Sequence, residues 1–419
     1  MMAQGQSTRT PRIGVIASTF PRPVDAYLLR ELLALVQQGI DVRIYSLRHP
    51  GGSALPRSAS ALGHATTYPP PLAAAAMRAA HREFLRAAPG RYLATLGELI
   101  REHAPSPRLL AKVVAVWPQT VYFASRARRD RLDHVHANWA TYPAAAAFAI
   151  GRLTGLTWSF AGHATDIYIE KTGLAAKIRA ASFVTTCTAE SRRYLTNLAS
   201  DIDPHRVHTV YHGTDLATFR AERAEPADLH VVAVGTLRHC KGFDTLLRAT
   251  ARLSADGVPT RVTIVGDGEE RARLTRLADQ LGLNGHVTFT GYLPHEDMGL
   301  IYARASVLVH PARAETHFGI PNVIIEAQAA SLPVVCTPLP ALAELIEDGA
   351  SGLYVPEDDV ERLAGTLKGL FEDPARRRHL AAEGLRRVSE RFDISETAAV
   401  FARLFSATPG RQKQREVTG

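Results

Sequence analysis

The sequence predicts an α/β protein made of two doubly wound parallel-sheet domains, and three observations carry that expectation. The chain has 419 residues, more than one hydrophobic core usually organises. Short β-branched or apolar runs recur along it, each followed by a longer stretch of helical period, which is the order of β-α units around a parallel sheet. The alternation breaks once, at the polar segment "RAERAEPAD" (Arg220–Asp228), and then restarts.

In the first half the strand-like runs are Ile13–Ala17, Val42–Leu47, His134–Ala137, Trp158–Gly162, Phe183–Cys187 and Val207–Tyr211. Tyr68 to Ser125 interrupts them with helical periodicity and contains "PPPLAAAAMRAA", which reads as an amphipathic insertion. After the break the strands are expected at Val231–Gly235, Arg261–Gly266, Val287–Thr290, Val307–His310, Pro333–Cys336 and Gly352–Val355. The expected domains are therefore 1–220 and 221–390, and the polar tail 408–419 is expected to be disordered. In such sheets ligands bind beyond the carboxyl ends of the strands, where the strand order reverses, so the post-strand loops carry the chemistry.

Composition narrows the function classes. With 46% hydrophobic and 21% charged residues the chain reads as an ordinary soluble globular protein. Its three cysteines, Cys187, Cys240 and Cys336, are widely spaced and odd in number, which argues against a disulfide framework or a zinc site and for a reducing cytoplasm. The first dozen residues are polar and lead into a strand, so neither a signal peptide nor an anchor helix is expected. No apolar run approaches the roughly 20 residues of a membrane span. The net charge is +8, and basic residues such as Arg82, Arg86, Arg91, Arg101, Arg108 and Lys112 crowd the helical insertion. No nucleic-acid motif and little aromatic interleaving accompany them, so nucleic acid is not an expected partner. An anionic membrane surface or anionic acceptor fits this face, and so does a plain solvated helical face.

Three post-strand loops invite chemistry. "VGTLRHCKGFDTLL" leaves a strand at Gly235, presents Arg238 and Lys241, and enters a helix after Gly242; glycine permits close backbone approach and lysine supplies a cation, so a diphosphate could dock there. In "VGDGEERARL" Gly266 and Gly268 serve a turn, and Glu269 and Glu270 complement a helix start. "HFGIPNVIIEAQAA" puts Gly319 and Pro321 at a strand-to-helix turn with the helix opening near Asn322 and Val323, whose amides suit a phosphate. Glu326, one turn in, could accept hydrogen bonds from a ribose or merely offset the helix dipole.

Taken together, these segments resemble the retaining glycosyltransferases of family 4, which have the GT-B fold of two Rossmann-like domains facing across a cleft. "GTLRHCKGFDTLLRA" looks like the family's phosphate loop, and "EAQAASLPVV" matches the continuation of its Glu-x7-Glu motif except for Ser331 at the usual glycine. "IVGDGEERARL", "VTFTGYLP" and "LAELIEDGASGLYVPEDD" are similar to its later landmarks. "HVHANWATYPAAAAFAIGRLTGLTWSFAGHATDIY" and "VYHGTDLATF" are similar to amino-terminal domains of polysaccharide-building members, including colanic-acid-type enzymes.

The resemblance implies transfer of a sugar from a UDP- or GDP-sugar to a growing glycan or lipid-linked acceptor in cell-surface polysaccharide synthesis. Retention of configuration, no metal and no other cofactor are implied with it. The protein would be cytoplasmic, at most peripheral at the inner face of the membrane. The catalytic set would be His163 and Glu315, which orient the sugar, and Lys241, which grips the leaving diphosphate. Arg238, Gly319, Asn322 and Val323 would join Lys241 on the phosphates, while Glu326 and Tyr292 would hold the nucleoside. A carboxy-terminal helix, 391–407, would cross back onto the first domain.

Two departures stand out: Phe318 occupies the place of the first motif glutamate, so that either Glu315 replaces it or that sugar contact is lost, and Thr236 replaces the arginine of the phosphate loop, with Arg238 as the available substitute. A nucleotide-sugar-binding scaffold without turnover and a sugar-nucleotide epimerase are the alternatives. Asp166 is expected to cap a turn. Asp201-x-Asp203 reads as turn chemistry and not as a metal motif. His134 and His136 alternate on one strand and His205, His208 and His212 cluster in sequence, but without a Cys or carboxylate partner at ligand spacing no metal site is expected.

Overall fold

The computed structural model describes residues 10–22, 26–51, 57–219, 223, 226–314 and 319–408. Contacts divide the chain into two units, one running to Tyr211 and resuming at Ser395, the other spanning His212–Ile394. In the first unit the strands are β1 (Arg12–Ala17), β2 (Asp41–Ser46), β3 (Thr66–Thr67), β4 (His134–Ala137), β5 (Thr157–Gly162), β6 (Val184–Thr186) and β7 (Val207–Thr209), in the order β3-β2-β1-β4-β5-β6-β7. The second unit contains β8 (Leu229–Val234), β9 (Thr260–Val265), β10 (Val287–Gly291), β11 (Val307–His310), β12 (Val334–Cys336) and β13 (Leu353–Tyr354), in the order β10-β9-β8-β11-β12-β13. Each strand pairs in parallel with its neighbours; Val15, for example, lies between Ile44 and His136.

Parallel sheets are covered on both faces, so their strands read as continuous apolar runs. β8, "LHVVAV", and β11, "VLVH", are buried along nearly their whole length. The two-residue β3 carries too little pattern to be legible in sequence. In the first unit the helix Tyr142–Thr154 is buried almost all round, and its alanines let the backbone settle onto the sheet with few large side chains between. In the second unit the helix Phe243–Ala255 buries Phe243, Leu246, Leu247 and Leu253, each contributing about 1.5–3 kcal/mol of transfer free energy.

The insertion consists of the helices Ala75–Ala87, Pro89–His103, Pro107–Ala115 and Trp117–Arg129. The last helix, Ile394–Ala407, sets Phe401 and Phe405 against His136, with ring centroids at 5.5 and 5.6 Å. His134 and His136 are fully buried on β4 and share the Ser159 hydroxyl at 2.7 and 2.8 Å, which accounts for both as core histidines. Burial pushes the His136 imidazole down to about 3 and His134 also well below its ordinary value.

Candidate functional site

Strand order in the second unit reverses between β8 and β11, so the loops after these two strands meet at the switch point. The loop after β8 closes in the turn His239–Lys241 and enters its helix through Gly242 at φ +65°. A Cβ on Gly242 would lie 1.9 Å from the carbonyl oxygen of Pro311, directly after β11, so only glycine fits. A Cβ on Gly266 would lie 2.0 Å from the Gly235 carbonyl oxygen, so glycine there lets the loop after β9 nest against the loop after β8.

Arg313 braces this turn. Its backbone N–H donates to the Cys240 carbonyl at 2.9 Å and its guanidinium donates to the His239 carbonyl. The same guanidinium donates to the Asp358 carboxylate at 2.7 Å and to Asp244 at 3.2 Å. Bonding to Arg313 holds the Asp358 carboxyl below the ordinary range. The Lys241 ammonium stands half-buried on the turn so fixed, and burial lowers its pKa. Arg238 on the same turn is exposed, 3.8 Å from Glu269. Glu270 pairs with Arg273 instead of capping the helix Arg271–Gln280.

The next predicted element opens as the sequence suggests. Gly319 has φ +88°, Pro321 holds the N-cap position without a side-chain cap, and the helix Asn322–Ala329 begins with Asn322 and Val323. Glu326 lies beyond the first turn and is buried. This excludes the reading in which it simply offsets the helix dipole, an effect confined to the first turn. Its carboxylate accepts from the Tyr302 hydroxyl at 3.1 Å and lies 3.4 Å from His295 Nδ1. His295 follows Tyr292 by three residues, so Glu326 is tied to the loop after β10 that presents the exposed Tyr292 ring. Burial and the neighbouring carboxylate raise the Tyr302 phenol far above its ordinary value. Glu315 and Phe318 lie outside the described residues.

The reversal in the first unit falls between β1 and β4. His163 stands immediately after β5, beside β4, and is buried. Its Nε2 bonds the Asn138 carbonyl at 2.9 Å, and its ring meets Trp139 at 4.7 Å and Tyr27 at 5.3 Å. Asp166 caps the following turn, accepting from the backbone N–H of His163 at 2.6 Å and of Ala140 at 2.5 Å. Lys177 Nζ donates to the Ala140 carbonyl at 2.8 Å, so Asp166 and Lys177 grip opposite sides of one residue. Burial pushes the Asp166 carboxyl up to about 7 and the Lys177 ammonium down to about 8, each opposed by the other's charge. Asp203 caps the turn Pro204–Arg206 and Asp201 pairs with Arg179, both turn and surface roles.

Sequence reasoning missed Arg313, His295, Tyr302 and Lys177. The position of Arg313 two residues past Pro311 in a post-strand loop is the signal that could have found it; Tyr302 and Lys177 sit inside helices and carry no local mark.

Residues 216–387 match the family model described as Glycosyl transferases group 1. Over these residues the chain is similar to the group 1 glycosyl transferases. The match begins at the "LATF" turn and takes in the Lys241 turn, the Arg313 brace and Glu326. Among similar proteins, a D-inositol 3-phosphate glycosyltransferase of Catenulispora acidiphila is 36% identical over 231 residues, covering 51% of this chain and 54% of the relative. The lipopolysaccharide core biosynthesis glycosyltransferase LpsE of Rhizobium meliloti is 32% identical over 207 residues, covering 49% and 58%. The chain spans about half the length of the curated relatives it matches. Among solved structures, Anabaena HepE in complex with UDP superposes with a TM-score of 0.70 at 16% identity, covering 95% of this chain and all of that one. The sucrose-phosphate synthase of Thermosynechococcus elongatus gives 0.69 at 21%, covering 96% and 100%. These likenesses establish the fold, which is GT-B.

Proposed function

We propose that the protein is a retaining, metal-independent glycosyltransferase that moves a sugar from a UDP- or GDP-sugar to a glycan or lipid-linked acceptor in cell-surface polysaccharide synthesis. The observation that carries this reading is the Lys241 turn, locked at the switch point of the second sheet by Gly242 against Pro311 and by Arg313. As the nucleoside diphosphate leaves, negative charge grows on its outer phosphate. Lys241, Arg238 and the amides of Asn322 and Val323 behind Gly319 are the groups that would stabilise it. Glu326, held by Tyr302 and His295, and Tyr292 on the adjoining loop are assigned to the nucleoside. Its ordered carboxylate suits a pair of ribose hydroxyls.

His163 and Glu315 are assigned to orienting the transferred sugar. With the leaving phosphate oxygen helping to deprotonate the incoming hydroxyl, no side-chain nucleophile and no metal are needed. The supporting comparisons are the family match and, for donor chemistry, the UDP in the complex of the HepE neighbour.

The test is transfer and hydrolysis from a panel of UDP- and GDP-sugars, with and without a lipid-linked saccharide acceptor and with EDTA present. Donor turnover that persists in EDTA supports the reading. A second reading, donor binding without turnover, draws on Phe318 at the place of the first motif glutamate. Binding by thermal shift with neither transfer nor hydrolysis would establish it instead.

A further inference from the structure

Five of the nine exposed large apolar side chains among the described residues fall in one short stretch: Leu72, Leu85, Leu93, Ile100 and Val114. Leu93 is 61% exposed and Leu72 is 59% exposed, although leucine ordinarily lines cores. All five belong to the helical insertion or its lead-in. The helix Ala75–Ala87 buries Met77, Ala80 and Phe84, and the helix Pro89–His103 buries Tyr92, Thr95 and Leu99. The opposite stripes are bare. On the first, Arg78, Arg82 and Leu85 follow at i, i+4 and i+7; on the second, Leu93 and Ile100 are seven apart, with Arg101 beside them.

The charges on these helices are sorted. Glu83 turns inward to the Ser125 hydroxyl at 2.6 Å and to Arg128 at 3.1 Å, Glu98 turns to Arg152 at 3.5 Å, and Glu102 pairs with Arg101 at 3.4 Å. Arg78, Arg82, Arg86 and Arg91 stay exposed. The outward face therefore combines protruding apolar side chains with an excess of guanidinium groups. Apolar groups enter the acyl boundary while the cations meet anionic headgroups, the composition of an interfacial helix.

We propose that the outward faces of the helices Ala75–Ala87 and Pro89–His103 form a docking surface for an anionic lipid bilayer. Anionic lipid is the occupant because charge complementarity selects it: a neutral bilayer would leave the arginines unmatched, and a second copy of the same face would set arginine against arginine. Docking of this kind would bring the chain to a lipid-linked acceptor and in that respect rests on the proposed function, but vesicle binding is measurable whether or not transfer occurs.

The full chain is sedimented with vesicles of phosphatidylcholine mixed with phosphatidylglycerol and with vesicles of phosphatidylcholine alone, at low and high salt. Binding to the mixed vesicles at least about ten-fold above the neutral ones, weakened by salt, is expected. Arg82→Glu with Arg86→Glu should lower partitioning by about ten-fold or more. Leu93→Ser with Ile100→Ser should lower it as well, with thermal melting of each variant unchanged. Equal binding to both vesicle types, equal binding by the charge-reversed variant, or a soluble dimer that the Leu93→Ser and Ile100→Ser pair dissociates would overturn the proposal.

Discussion

The two switch-point loops of this chain solve different problems with the same topology. After β8 the turn is cationic, carrying the half-buried Lys241 and the exposed Arg238, and ion pairs from Arg313 to Asp244 and Asp358 brace it. Beside β4 the arrangement is inverted: His163 is buried among Asn138, Trp139 and Tyr27, and the charges, Asp166 and Lys177, are buried too and spent on the Ala140 backbone. A polyanion needs cations within reach on a rigid turn. Holding a ring in one orientation needs every neighbouring dipole satisfied and water kept out.

The sharpest way to break the comparison is Lys241→Ala. If the ammonium grips a leaving phosphate, donor turnover should fall by about 2.7–4 kcal/mol in transition-state stabilisation, about 10²–10³-fold in kcat. Turnover unchanged by the substitution removes Lys241 from the site.

Acid should separate the units next. Burial holds His134 and His136 neutral, with His136 at about 3, and drives His103 down to about 4. Unfolded, each would titrate near its ordinary value. Below about pH 6.5 the unfolded chain therefore binds protons that the folded unit refuses, so stability falls with acid by about 1.4 kcal/mol per pH unit for each histidine. All three lie in the first unit; there the Asp166 carboxyl, raised to about 7, offsets about one of them over the same range, and in the second unit burial lowers His230. Thermal melts followed by proteolysis between pH 7 and 5 should show the first unit opening first; simultaneous loss of both units would contradict the assignment.

Gly242→Ala sharpens the comparison at the cationic turn. A Cβ there meets a backbone oxygen, and the left-handed backbone disfavours any side chain, so the turn must shift at a cost of about 1–3 kcal/mol. Calorimetry should register that loss, and nucleotide affinity should weaken in parallel.

The smallest effect concerns Ser331, which stands at φ +53°, in the left-handed region that favours glycine. Ser331→Gly should relieve left-handed strain of about 1–2 kcal/mol and lose part of the gain to the freer unfolded chain, leaving about 0.5 kcal/mol of added stability in denaturant titrations. A destabilised variant would show that the Ser331 side chain has a role of its own.

Most of the scaffold was readable one segment at a time. Twelve strands fall where mostly apolar runs stand between turn residues, because parallel strands covered on both faces are largely apolar. The Gly242 and Gly319 turns were readable for the same local reason: the backbone there is left-handed, and glycine is the residue that adopts it at no steric cost. The Asp166 cap was equally plain, since it serves an amide three residues away.

Partnerships across the chain were not readable. Glu326 was chosen for its place in a motif, yet its environment comes from Tyr302 and His295, which no periodicity connects to it. Arg313 touches the 239–241 turn, Asp244 and Asp358 from three separate stretches. Lys177 meets Ala140 across 37 residues. The sequence by itself determined the alternation of elements, the glycine turns and the cation at Lys241, because each follows from backbone sterics or side-chain chemistry within a few residues. Only the tertiary structure decided which buried charges face each other and which helices are left with leucine and arginine toward solvent, because burial and pairing depend on what the rest of the chain brings alongside.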